Sequence, residues 1–214
     1  MARSGKSSPD SNSEAEITLG LLSVVEQNSV HTQRLIANEL GVALGLANAY
    51  LKRCIKKGWI KVNEAPANRY AYYLTPTGFA EKSRLTADYL SYSFNFFRGA
   101  RDQCSALFAE CQNSGWNRVA LIGATDLAEI ATLCAKDFEL ELIGIVDLKR
   151  MQSDYAGVPL ARKLKDLGAV SAVIITELKE AQLAFDTLVE LLPRERVLTP
   201  SLLKISRNKP QLAE

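Results

Sequence analysis

The hydrophobic period of this 214-residue chain changes near Arg118, and that change limits what the chain can fold into. Before it, apolar residues recur at helical spacing, as in Ile17, Leu21, Leu22, Val24 and Val25. After it they come as short continuous runs at 119–122, 142–146 and 172–175, with amphipathic stretches at 127–135 and 180–192 between and after them and a last short run at 196–198. Continuous apolar strands alternating with helices predict a parallel sheet covered on both faces. Two architectures therefore share the chain, and its length suits two small domains, since one domain holds roughly 100–200 residues.

Composition removes other classes. With 47% hydrophobic and 23% charged residues the chain is neither disordered throughout nor a fibre or rod. No run approaches the ~18 apolar residues of a membrane span. Residues 1–14 hold five Ser and one Pro but no apolar segment of a secretory signal, and read as a disordered tail on a cytoplasmic protein; residues 207–214 read as a second tail. One histidine, His31, leaves no basis for a His triad or a multi-His metal site. Cys54, Cys104, Cys111 and Cys134 lack C-x-x-C spacing and read as buried reduced thiols. No catalytic set and no metal site is expected.

The first half has a definite order of elements. The helix around Leu21 is followed by a second, N-capped by Thr32 and ending near Leu40; Gly41 supplies a turn. A third runs from about Ala43 to Lys57, with Leu46, Ala47, Tyr50, Leu51, Cys54 and Ile55 as its buried stripe and Gly58 as its stop. Two strands, 59–62 and 70–74, flank a polar turn at 63–69. Three helices and a hairpin in this order predict a winged helix-turn-helix over residues 15–75.

Charge agrees. Residues 1–115 carry 13 basic and 10 acidic side chains, against 13 and 14 in the remainder. From Leu40 to Asn63 nothing is acidic, while Lys52, Arg53, Lys56, Lys57 and Lys61 fall there, a local field suited to a polyanion. The third helix is expected to enter the major groove, with Leu44 and Asn48 at base edges and Lys52, Arg53 and Lys56 at phosphates. Thr32 and Gln33 are candidates for a phosphate at the second helix, and Asn68 and Arg69 for the minor groove at the wing.

The run QRLIANELGVALGLANAYLKRCIKKGWIKV, followed by YAYYLTPTGFAEK, resembles the winged-helix regulators of MarR type, above all the small regulators associated with exopolysaccharide gene clusters. The similarity covers roughly residues 16–112. It implies binding to double-stranded DNA, a homodimer and a role in transcription.

Pro76 opens a long helix to about residue 111, about 50 Å at 1.5 Å per residue. Leu90, Phe94, Phe97, Arg101, Cys104, Phe108 and Cys111 recur on it at steps of four and three. Residues 76–115 are thus expected to link the domains and to dimerise, with Leu90, Phe94, Phe97 and Phe108 in the seam; packing on the chain's own second half is the alternative. Gly99 is a candidate kink.

Residues 116–206 predict a Rossmann-like open sheet of four or five parallel strands. Its first turn reads Gly123-Ala124-Thr125-Asp126-Leu127-Ala128. Against G-x-G-x-x-G/A, Thr125 replaces the glycine that lets backbone approach a pyrophosphate, and Asp126 adds a repelling charge. Asp147, 24 residues after Gly123, stands where a carboxylate holds ribose hydroxyls. VALIGATDLAEI, LIGIVD, YAGVPL, AVIIT and VLTPSLL resemble the Rossmann-like domains of redox-sensing Rex repressors and, equally, the nucleotide-binding domains of polysaccharide-biosynthesis enzymes. The resemblance implies a nucleotide, dinucleotide or nucleotide-sugar effector, with Gly123, Ala124, Thr125, Asp126, Leu127, Asp147 and Thr176 as candidate contacts.

The expected fold is an α/β two-domain chain: a winged helix-turn-helix, a long linker helix, then a Rossmann-like parallel sheet with helices on both faces. The expected function is a homodimeric DNA-binding regulator, cytoplasmic and without a membrane partner, that controls polysaccharide or cell-envelope genes. Two alternatives stay open: a sheet domain that serves as a ligand-free oligomerisation module, and an enzyme on a nucleotide-sugar, which lacks a convincing general base.

Overall fold

A computed structural model describes residues 9–27, 32–65, 69–150 and 152–207. The chain divides into two compact units, one running to Phe94 and the other starting at Asn95.

The first unit opens with α1 (Pro9–Gln27), α2 (Gln33–Glu39) and α3 (Leu44–Lys56). Helix α1 starts within the segment expected to be a tail; residues 1–8 and 208–214 lie outside the described residues. Leu21, Leu22 and Val25 of α1, Ile36 of α2 and Leu51 and Cys54 of α3 close one apolar core with Ile60, Tyr72 and Leu85. Strands β1 (Ile60–Ala65) and β2 (Arg69–Leu74) pair antiparallel from Ile60↔Leu74 to Ala65↔Arg69. The order of elements and the Gly41 and Gly58 turns match the sequence reading, with φ of +63° and +71°, but the strands extend into the expected 63–69 turn, which Asn63–Ala65 and Arg69 enter as paired residues.

The long helix α4 (Pro76–Asn113) begins under tight local control. The hydroxyls of Thr75 and Thr77 donate to the Gly58 carbonyl at 2.5 and 3.0 Å, and Thr75 Oγ1 accepts the Gly78 N–H at 3.0 Å. Gly78 is required by space: a Cβ there would run into the Trp59 carbonyl. The T-P-T-G sequence therefore fastens the start of α4 to the end of α3. Gly99 produces no break, and α4 is continuous through it.

The second unit corrects the expected 76–115 linker. Ala100, Cys104, Phe108 and Cys111 of α4 are buried in this unit's own core, together with Leu127, Ala131 and Cys134 of α5 (Asp126–Ala135). Phe108 is fully buried there, so it is a core residue and not part of a dimer seam. Its spacing suited either role, because a stripe at steps of four and three has the same pattern whichever surface covers it.

The sheet runs in the order β5-β6-β4-β3-β7-β8. Strands β3 (Arg118–Ile122), β4 (Glu141–Val146), β6 (Val158–Ala161), β7 (Ala172–Ile175) and β8 (Val197–Leu198) are parallel, and β5 (Asp154–Tyr155) is an antiparallel edge. Side chains alternate between faces as strand geometry requires. Val119, Leu121, Ile174 and Leu198 meet α4 and α5, while Ala120, Val173, Ile175 and Val197 meet α6 (Ala181–Leu188) through Phe185 and Leu188. This is a Rossmann-like sheet covered on both faces, with one strand more than the four or five expected. The extra pair arises from Tyr155-Ala156-Gly157-Val158, where Ala156 and Gly157 both have positive φ, the geometry of a tight hairpin turn.

Gly78→Ala is expected to destabilise the first unit by about 1–3 kcal/mol through overpacking against backbone. Gly99→Ala, where an added Cβ meets nothing within 4 Å, is expected to be neutral or stabilising. Urea midpoints of the two variants by circular dichroism check both.

Candidate functional site

Helix α3 sorts its residues by rotation. Ala47, Leu51 and Cys54 are buried, which turns Ala49, Lys52, Arg53 and Lys56 outward into exposed positions. Leu44 is exposed as expected, but Leu46, expected in the buried stripe, is 43% exposed. It stands one residue off the Ala47–Leu51–Cys54 line, about 100° around the helix from it. Burial pushes the Cys54 thiol up to about 11, so it packs here as a protonated apolar group.

Several expected contact residues already have partners. Thr32 Oγ1 accepts the Leu35 N–H at 3.3 Å as the N-cap of α2. Gln33 Nε2 donates to the Tyr72 hydroxyl at 3.2 Å, tying α2 to the hairpin. Arg53 Nη1 pairs with Glu14 Oε2 of α1 at 3.1 Å, both side chains being half exposed. The ammonium of Lys57 lies 4.3 Å from the centre of the Trp59 ring. Asn48 is unusual: its Oδ1 is buried and has no hydrogen-bond partner among the described residues. Residue Asn68 lies outside the described residues, and Arg69 is placed by its backbone as the first residue of β2.

This order of helices, with a cationic third helix and a hairpin behind it, agrees with an independent comparison. Residues 14–61 match the family described as winged helix-turn-helix DNA-binding. The match supports a winged-helix DNA-binding domain at the start of the chain. No curated protein matches the chain. A solved structure titled "PigF with SAH" is 12% identical over 87% of this chain and 56% of its own, with a TM-score of 0.22, a likeness too slight to carry an argument.

Beyond the winged domain, the second unit carries the glycine turn. Gly123 has φ +100°, and a Cβ there would come within 2.7 Å of the Glu177 backbone, so β3 and β7 approach closely at their C-terminal ends. The approach is stitched by side chains. Thr125 Oγ1 donates to the Thr176 carbonyl at 2.7 Å, and Thr176 Oγ1 lies 2.7 Å from the Gly123 carbonyl and 2.9 Å from that of Ile122. Thr176 is fully buried, Ala124 and Leu127 have side chains in the core, and Asp126 begins α5. Asp147 accepts the Ala124 N–H at 3.0 Å and the Lys149 N–H at 2.7 Å, one on each oxygen. The sequence-predicted ligand residues are thus brought together, but mostly in contact with one another.

The open space lies beside them. A cavity of about 530 Å³ is lined by Gly123 and Asp147 of the predicted set and by groups that sequence reasoning missed. These come from the segment after β4 (Leu148, Lys149), from 162–165 after β6, and from α6 and the turn beyond it (Leu183, Leu191). The signal was present in α6, where Leu183 falls opposite the buried Phe185 and Leu188 and so has no core to enter. Lys149 Nζ donates to Glu180 Oε2 at 2.6 Å across this lining; the bond holds the Glu180 carboxyl below its usual range and the Lys149 ammonium above its own. Among the described residues no cluster of three metal-ligating side chains occurs.

An unsatisfied buried acceptor costs about 1–3 kcal/mol. Asn48→Ala is therefore expected to leave the winged domain as stable as before or more stable by about 1 kcal/mol, since alanine also favours helix. A fall in the thermal midpoint would show that Asn48 has a structural partner.

Proposed function

We propose that the chain is a homodimeric transcriptional regulator, acting in the cytoplasm, that grips double-stranded DNA through α3 and the wing and holds a small effector in its α/β unit. The observation that carries this reading is the outward face of α3, where Lys52, Arg53 and Lys56 stand together opposite a buried stripe. Lys52, Arg53 and Lys56 take phosphates, which add affinity without sequence information. Leu44 meets a thymine methyl, and Asn48 rotates out to read adenine, relieving its orphaned carbonyl as it does so. Thr32 and Gln33 serve mainly to position α2, their side-chain groups being engaged; Asn68 and Arg69 reach the DNA at the wing.

Arg53 must exchange Glu14 for a phosphate. An exposed ion pair is worth less than about 1 kcal/mol, so the exchange is cheap. A second copy covers Leu90, Phe94 and Phe97, which are 45%, 55% and 40% exposed on α4. Two copies then present two recognition helices to two half-sites. The likeness of the T-P-T-G segment to exopolysaccharide-associated regulators supports polysaccharide or cell-envelope genes as targets. An effector at the strand ends, of nucleotide, dinucleotide or nucleotide-sugar class, acts by favouring one dimer geometry. The stitched Gly123 turn favours a second reading, in which the α/β unit is a ligand-free oligomerisation module.

Selection from random duplexes is expected to return an inverted repeat. Arg53→Ala with Lys56→Ala should weaken binding at least tenfold, and Glu14→Gln should strengthen it severalfold. Sedimentation equilibrium should find a dimer that Leu90→Asp with Phe94→Asp converts to monomer. A monomeric wild-type chain or selection of no sequence would refute the reading.

A further inference from the structure

The cavity beside the glycine turn has a chemistry of its own. Leu148, Leu183 and Leu191 line it and are 73%, 63% and 65% exposed. Three leucines left in water on one concave surface are a cost that a covering ligand removes, at roughly 25 cal/mol per Å² of apolar area. The cavity floor is apolar as well, through Ile122, Val146 and Leu188.

Its charges are not balanced. The three carboxylates on the lining are engaged: Asp147 with two backbone N–H groups, Glu177 with the N–H groups of Lys179 and Glu180 at 2.9 and 3.4 Å, and Glu180 with Lys149. Lys163 and Lys165 also line the cavity, and their ammonium groups form no salt bridge among the described residues, while the Lys163 backbone N–H donates to Asp166 at 3.1 Å. A pyrophosphate is kept from the turn by the Thr125 side chain and the Asp126 charge.

We propose that this cavity binds a small amphipathic anion, with its phosphate or carboxylate on Lys163 and Lys165 and its hydrocarbon body over Leu148, Leu183 and Leu191. The inference rests on the reading of the α/β unit as an effector-binding domain and gives that effector a chemical class other than a nucleotide. The Lys149–Glu180 pair competes with the ligand, since Glu180 occupies a cation that the anion would otherwise use. A volume of 530 Å³ lies within the range of small-molecule sites.

The test is calorimetric titration of the full chain with octyl phosphate, octanoate, octylamine, inorganic phosphate, AMP and NADH. Octyl phosphate and octanoate are expected to bind saturably at one per chain, and octylamine and inorganic phosphate not to bind. Lys163→Ala with Lys165→Ala should weaken binding at least tenfold, Leu183→Asp should abolish it, and Glu180→Gln should tighten it severalfold. Circular dichroism of each variant confirms the fold, and the Glu180→Gln gain is a result that misfolding would not produce. Preference for AMP or NADH, or binding insensitive to the lysines, would overturn the proposal; so would absence of binding by both octyl anions. Anisotropy on duplex DNA in the same samples separates these outcomes from failure of the regulator reading, which would show as loss of DNA binding by the wild-type chain.

Discussion

The burial of Ala47, Leu51 and Cys54 along one line of α3 is the constraint on which the winged domain depends. Once that line is fixed against α1 and the hairpin, helix geometry dictates where every other α3 side chain stands. Lys52, Arg53 and Lys56 have no choice but the open face. The apolar core thus decides the electrostatics: the positive field on this surface follows from packing. Gly78 and the Thr75 and Thr77 hydroxyls extend the same control to the start of α4, because they fasten it to the end of α3 through the Gly58 carbonyl and the Trp59 backbone.

In the second unit the comparable constraint is the close approach of β3 and β7 at Gly123. Only glycine fits there, yet the approach does not leave an open phosphate turn. Thr125 and Thr176 bond across it, and Asp147 closes it from the β4 side. The residues that resemble a nucleotide fingerprint are therefore consumed in holding the strand ends together. The accessible space moves to the α6 side, where exposed leucines stand beside Lys163 and Lys165, whose ammonium groups form no salt bridge among the described residues.

Much of this was legible in the sequence, and the limits have physical causes. The helix order, the hairpin, the Gly41 and Gly58 turns and the parallel strands all follow from periods and turn residues, which are local. Phe108 and Leu46 were misplaced because a helical stripe reports that a face is apolar and not what covers it. Leu46 sits one residue off the line that is covered, and Phe108 meets α5 of its own chain. Strand β6 was hidden by Pro159 and by its shortness. The cavity could not be read because its walls come from four separate segments, within 122–123, 146–149, 162–165 and 177–191, and because the engagement of Asp147 by backbone N–H groups is a matter of tertiary distance.

The central claim, that α3 presents a phosphate-binding surface, is tested most directly by the salt dependence of duplex DNA binding. Each phosphate neutralised releases condensed counterions, so the logarithm of affinity should fall linearly with the logarithm of salt concentration, with a slope near −0.9 for each contact. The account predicts a steep line for the wild-type chain, made shallower by about one unit when Lys52 alone is replaced by alanine. A salt-independent affinity, or a slope that the Lys52 substitution leaves unchanged, would contradict it.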